Sequence, residues 1–202
     1  MTIPPDGASP APGIGFEPEK RNTALQCHVA FFDRDRDGVI WPSDTFHGFR
    51  TLGFSLFLSA LAVLVIHTGF SYPTYGTLLP DPFFRLKINN MHRAKHGSDT
   101  ESYTAVGEFD EKRFEHVFKM YSSPPHTHLS FTEGLRMLYG SRNLYDPFGW
   151  FAAMFEWLAT YIMLWPMDGR MKKEEIKAIY DGSMFYKVAS ARKATRDFYP
   201  RR

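Results

Sequence analysis

The chain has 202 residues, 44% of them hydrophobic and 23% charged, with 24 basic against 22 acidic side chains. That composition belongs to one folded domain and excludes disorder, collagen and low-complexity repeats. The balanced charge argues against a nucleic-acid binder led by phosphate contacts, and a single cysteine forbids an internal disulfide.

Mean hydropathy is −0.32, yet aromatics reach 16% with 19 Phe, so apolar surface is concentrated rather than spread. Residues 1–20 are rich in Pro and Gly and read as a flexible tail. Helix-like patterns over 21–32 and 43–52 flank the twelve residues DRDRDGVIWPSD, 33–44. Asp33, Asp35 and Asp37 occupy positions 1, 3 and 5, and Gly38 stands at 6, where the turn needs positive φ. Val39 offers its backbone carbonyl at 7, Ile40 is the apolar pairing residue at 8, and Asp44 closes at 12. Calcium takes six to eight oxygens, and this spacing supplies them. Asp44 is shorter than the usual Glu, which predicts weaker calcium affinity and better tolerance of magnesium.

Residues 51–80 contain no Asp, Glu, Lys or Arg. The 19 residues from Leu52 to Phe70 approach the thickness of a bilayer core when helical. Three readings compete: a membrane span, a helix that dips into or lies on a membrane, and a buried core helix. Thr51, Ser55, Ser59 and Ala62 form a small, polar stripe that suggests a face packed on protein or facing water. Pro73, Pro80 and Pro82 predict that the helix ends and the chain reverses.

Further helices are predicted over 109–121, 132–140, 148–164 and 172–181. Between them lie two loops that keep only parts of the calcium pattern. Residues 122–133 retain Leu129 and Glu133; residues 164–175 retain Asp168, Gly169 and Glu175. Pairing of the first loop with either remnant would place both flanks of the apolar stretch in one compartment, which favours a dipping or surface helix. Residues 191–202 are read as a basic tail that can assist contact with anionic lipid. The fold class expected is mainly α: an EF-hand-like helical domain over 21–190, with one competent calcium loop, degenerate partner loops and an apolar membrane-dipping hairpin with a proline-rich turn.

Of the eight histidines, His92 and His96 are spaced to share one face of a helix, but no H-E-x-x-H and no cysteine cluster supports a zinc site there, and His28 lies just before the calcium loop. Composition and spacing reach a calcium-binding helical protein with a lipid-facing segment, and no further.

The segments LQCHVAFFDRDRDGVIWPSDTFHGFRTLGF, LLPDPFFRLKINNMHRAKHGSD and YDGSMF, in that order, resemble the caleosins, also called plant and fungal peroxygenases. The likeness covers about residues 22–190. It implies haem b and calcium as cofactors, and oxygen transfer from a fatty-acid hydroperoxide to an unsaturated fatty acid or similar acceptor, giving epoxide or hydroxylated products. It also implies residence at the cytosolic face of lipid droplets and the endoplasmic reticulum membrane. By motif, haem iron and catalysis fall to His28 and His96, with His92 matching a third histidine; which of the first two is proximal stays open. Cys27, beside His28, leaves a thiolate ligand conceivable. Phe83, Phe84, Phe148, Trp150 and Trp157 are candidates for an acyl pocket. Asp81 between two prolines and Asp44 at the loop's end depart from the plant pattern and look more like a fungal member. The alternative function is a structural lipid-droplet coat protein with little catalysis.

Overall fold

The computed structural model describes residues 22–198, so the expectation for the N-terminal tail lies outside the described residues. Helix α1, Ala24–Ala30, is opened by a capping box. Thr23 Oγ1 accepts from the Gln26 N–H, and Gln26 Oε1 accepts from the Thr23 N–H, which satisfies two otherwise free donors. After the acidic loop come β1, Val39–Ile40, and α2, Pro42–Thr51, with proline in the first turn where no N–H is missed. Helix α3, Leu56–Tyr75, is capped by Ser55, runs through Pro73 and ends at Gly76 in the left-handed region. The prolines do not end the apolar helix as expected; Gly76 does, three residues later.

Strand β2, Leu86–Lys87, follows and leads into a 3₁₀ segment, Ile88–Ala94. Next are α4, Glu111–Tyr121, β3, His128–Ser130, α5, Phe131–Gly140, and α6, Pro147–Leu164. The chain closes with β4, Arg170–Lys172, α7, Lys173–Tyr180, and α8, Ser183–Phe198. The basic segment from residue 191 is therefore helical through Phe198.

The ladder register corrects the pairing read from sequence. Strands β3 and β4 pair with Leu129 opposite Met171, so the two remnant loops pair with each other at their eighth positions. Strand β1 pairs with β2, Ile40 opposite Leu86 and Val39 opposite Lys87. Residue 86 is the eighth of the window 79–90, LPDPFFRLKINN, so the proline-rich turn occupies the place of a second loop. The molecule is thus two pairs of helix–loop–helix units, with the 3₁₀ segment as the short exiting helix of the second unit.

This topology places α3 within the first pair. It is long and apolar enough to cross a membrane by length and composition, yet Ser59, Ala62, Val65, His67, Ser71 and Thr74 are buried against protein. The expected small-residue stripe is packed from Ser59 onward, while Thr51 and Ser55 are exposed. His67 ties three elements together: Nδ1–H donates to the Phe84 carbonyl at 2.6 Å, and Nε2 meets Thr45 Oγ1 at 2.8 Å. The opposite face, with Leu56, Phe57, Leu64 and Tyr72, is exposed. A spanning helix would carry its ends to opposite sides of a bilayer; here the β1–β2 ladder rejoins the chain on either side of α3.

Three apolar clusters hold the fold. One fills the second pair around Phe114, Phe118, Leu129 and Met171. One joins α2, α3, α6 and α8 through Phe49, Leu52, Ala62, Met163 and Phe185. One lies under the β1–β2 ladder around Leu25, Ile40, Leu86 and Met91. Burial of such side chains stabilises by roughly 1.5–3 kcal/mol each before entropy is counted.

Candidate functional site

A cavity of about 270 Å³ lies where the three clusters meet, walled mainly by apolar side chains of α1, α2, α3, α6 and α7. His28 and His96, distant in sequence, both line it.

His28 projects from α1, and the segment YDGSMF fixes it from behind. Its Nδ1–H donates to the Ile179 carbonyl at 2.7 Å, so the proton is committed to Nδ1 and the Nε2 lone pair is left free. The Phe185 ring meets the imidazole edge-on at 4.9 Å. Gly182 allows the contact: a Cβ there would sit 2.6 Å from the Cys27 carbonyl oxygen and 2.9 Å from His28 Cα, and its φ is +77°. Burial lowers the His28 imidazole below its ordinary value, against smaller opposing effects of the Ile179 carbonyl, Glu156 and Asp181. A neutral imidazole with one nitrogen engaged by a carbonyl and the other free is the form that binds a metal.

Cys27 does not compete for that role. Burial, with Asp181 and Glu108 adding, pushes its thiol up to about 11, so it holds its proton at neutral pH.

His96 is held differently. The 3₁₀ segment stops at Ala94 and Lys95 is extended, so His92 and His96 do not share the helical face that their spacing predicts. The tighter 3₁₀ turn removes the i,i+4 alignment that an α-helix would give. The Ser98 N–H donates to His96 Nδ1 at 3.3 Å, and Ser98 Oγ donates to Asp146 at 3.2 Å. Nε2 faces Glu156 Oε2 at 3.7 Å, and Asp146 Oδ2 lies 4.0 Å from Nδ1. Burial opposes a charge on His96, but Glu156, with Asp99 and Asp146, outweighs it, so this imidazole lies above its ordinary value. The two histidines are therefore driven in opposite directions, one toward the neutral form and one toward the charged form.

Of the aromatic candidates, only Trp157 lines the cavity. Phe83, Phe84, Phe148 and Trp150 are surface residues, and Phe32, Phe49, Phe70 and Phe155 form the walls instead. The sequence reading missed them, together with the Ile179 carbonyl and Glu156. The YDGSMF match was the available pointer to the Ile179 region.

The acidic loop is a separate site. Ligand oxygens of Asp33, Asp35 and Asp37 lie within 4.8 Å of one another and could hold a metal ion. Asp33 Oδ2 accepts from the Gly38 N–H at 2.9 Å, while Asp33 Oδ1 is buried without a hydrogen-bond partner. Asp44 Oδ2 caps α2 by accepting from the Trp41 N–H at 3.0 Å, and Asp44 is not among the three carboxylates that lie together. Val39 stands in β1 immediately after the cluster.

The model of caleosin-related proteins matches residues 20–189. The chain is 39% identical over 170 residues to a protein of Lilium longiflorum named "Peroxygenase", covering 84% of this chain and 71% of that one. It is 38% identical over 183 residues to "Probable peroxygenase 4" of Arabidopsis thaliana, covering 89% and 92%. A protein of the same plant named "Probable inactive peroxygenase-like protein" is 27% identical over 156 residues, covering 73% and 71%. No solved structure matches the chain. With 170 of its residues matched by the family model and relatives close to 40% identical over most of its length, the chain belongs to the caleosin family.

Proposed function

We propose that the chain is a haem-dependent peroxygenase that moves one oxygen from a fatty-acid hydroperoxide to an unsaturated fatty acid or similar acceptor. The observation that carries this reading is the opposed setting of two histidines on one apolar cavity. The donor set fits a haem b iron: His28 presents a neutral imidazole whose Nε2 is free toward apolar walls. Haem bound there supplies the two-electron oxygen-transfer chemistry. His28 would hold the iron and His96 would be the acid: its Nδ1 accepts from the Ser98 N–H, so its proton stands on Nε2 beside Glu156, placed to pass to the oxygen that departs as alcohol. Apolar walls admit acyl chains and exclude water from the reacting oxygens.

The acidic loop binds calcium through Asp33, Asp35, Asp37, the Val39 carbonyl and the free oxygen of Asp44. One oxygen of Asp44 is engaged by the Trp41 N–H, so a weakened calcium site that tolerates magnesium is expected. The exposed apolar face of α3 and the proline-rich turn, where Leu78 is 93% and Leu79 76% exposed, rest on a lipid surface at the cytosolic face of lipid droplets or endoplasmic reticulum.

Purified protein supplied with haem is expected to show a Soret band and to epoxidise an unsaturated fatty acid only when a fatty-acid hydroperoxide is present. A protein that takes up haem but transfers no oxygen from hydroperoxide would contradict the enzymatic reading.

A further inference from the structure

Helix α6, Pro147–Leu164, is apolar along its whole length except at one place. Glu156 is its single charged residue. Its helical neighbours Ala152, Phe155 and Ala159 line the cavity, and so does Glu156 itself. Its side chain is 53% exposed, so the carboxylate stays solvated while it edges the cavity. Its carboxylate faces His96 Nε2 across 3.7 Å, too long for a direct hydrogen bond and with room for one bridging oxygen. Lys95, the nearest cation on the wall, is engaged elsewhere: it pairs with Asp99 and donates to the Tyr103 carbonyl. A smaller chamber of about 80 Å³ adjoins the same His96–Glu156 pair; its surface is mostly apolar, with the hydroxyl side chains of Ser98, Thr100, Ser102 and Tyr180 at its edge.

We propose that Glu156 is a second catalytic residue, the base that takes the hydroperoxide proton while His96 gives its own to the departing oxygen. The inference rests on the peroxygenase reading above. The step balances. The O–H proton of the hydroperoxide passes to the Glu156 carboxylate, and the O–O bond breaks with its electron pair leaving on the alkyl oxygen. His96 protonates that oxygen to the alcohol, and the terminal oxygen goes to the acceptor. The proton on Glu156 then returns to His96 across the 3.7 Å gap, through solvent water that reaches the half-exposed carboxylate. The other charged and titratable groups around His96 are Asp99, Asp146, Lys95, Tyr103 and Tyr180. Asp146 is occupied by Ser98 and the Gly149 N–H, and Asp99 by Lys95 and the Glu101 N–H, so neither is as free as Glu156 to take a proton.

Two measurements on Glu156→Gln test this. In haem-free protein, binding of dodecyl hydroperoxide is compared with that of dodecyl methyl peroxide, which lacks the O–H. Wild type is expected to prefer the hydroperoxide by about tenfold, the size of a hydrogen bond to a charged group. Glu156→Gln should lose the preference and Glu156→Asp should recover part of it. In haem-loaded protein of equal Soret absorbance, Glu156→Gln should lower kcat about 100-fold with little change in KM. A Glu156→Gln protein that keeps the binding preference, or turns over within about threefold of wild type at equal haem content, overturns the proposal. A wild type that takes up no haem contradicts the peroxygenase reading instead, and the binding comparison then still decides whether Glu156 receives the peroxide proton.

Discussion

Two loops of the same ancestral shape solve the problem of buried carboxylates in opposite ways. In loop 33–44, three aspartates converge and Asp33 Oδ1 is buried with no donor of its own. In loop 122–133, Glu133 is supplied in full: Oε1 accepts from the N–H and hydroxyl of Ser123, and Oε2 from the N–H and hydroxyl of Ser130. The proline-rich window 79–90 reaches the same end with an ion pair, Asp81 to Arg85 at 2.8 Å, and Arg85 stacks over Trp41 at 4.9 Å and Tyr75 at 5.3 Å. In the fourth loop Asp168 accepts from the Arg170 N–H. A loop whose own donors satisfy its carboxylate has no use for a cation; a loop left short of donors does. The carboxylate count of a loop therefore says less about metal binding than what its oxygens already touch.

The largest expected effect comes from the unsatisfied loop. Asp33→Asn removes the central charge, and calcium affinity measured by calorimetry should fall at least about 100-fold. Wild type should gain about 2.7 kcal/mol of unfolding stability at calcium one hundred times its dissociation constant, and the variant at most about 0.4 kcal/mol. Equal calcium heats from both proteins would break the comparison.

A smaller effect is expected at Glu133. Glu133→Ala strands four donors and should cost about 1–2 kcal/mol in denaturant unfolding, with no change in calcium affinity. Burial opposes the charge on Glu133, but the Ser123 and Ser130 donors outweigh it and draw its pKa from 4.5 down to about 2. A carboxylate depressed in the folded state stabilises above its unfolded pKa and loses that contribution as the pH falls. The stability gap between wild type and Glu133→Ala should thus be constant above about pH 5 and close toward pH 2. A gap that widened as the pH fell would contradict the hydrogen-bond account.

The smallest effect sharpens the third loop. Arg85→Met should lower the melting temperature and loosen the β1–β2 pairing, seen as faster amide exchange at Ile88, whose N–H donates to the Gly38 carbonyl. Calcium affinity should weaken only modestly. An unchanged exchange rate would show that the ion pair is not what closes this loop.

How much of this was legible in the sequence follows from how local each signal is. The metal loop was readable because its ligands lie within twelve residues of chain. The helices over 109–121, 132–140, 148–164 and 172–181 were readable because each carries its own apolar period and sits within a few residues of the observed element. The partner of the first loop was not readable. Leu79 and Phe83 stand where ligands would be, and the Ile40–Leu86 pairing becomes visible only when α3 brings the chain back. The shared face read for His92 and His96 was wrong because i,i+4 spacing presumes an α-helix, whereas the segment is 3₁₀ and ends before His96. Glu156 gave no signal: it is a lone acid in an apolar run, half exposed in the structure too, and only the fold sets His96 opposite it. His28 and His96 were singled out through family motifs, and the division of labour proposed for them rests on the Ile179 carbonyl and the acids around His96.

The most direct test of the central claim is the absorption spectrum of the haem-supplied protein beside its His28→Ala and His96→Ala variants. If His28 holds the iron and His96 handles the proton, His28→Ala should lose the Soret band, while His96→Ala should keep it and lose hydroperoxide-driven turnover by about 100-fold or more. A His96→Ala protein that fails to retain haem while His28→Ala retains it would contradict the account.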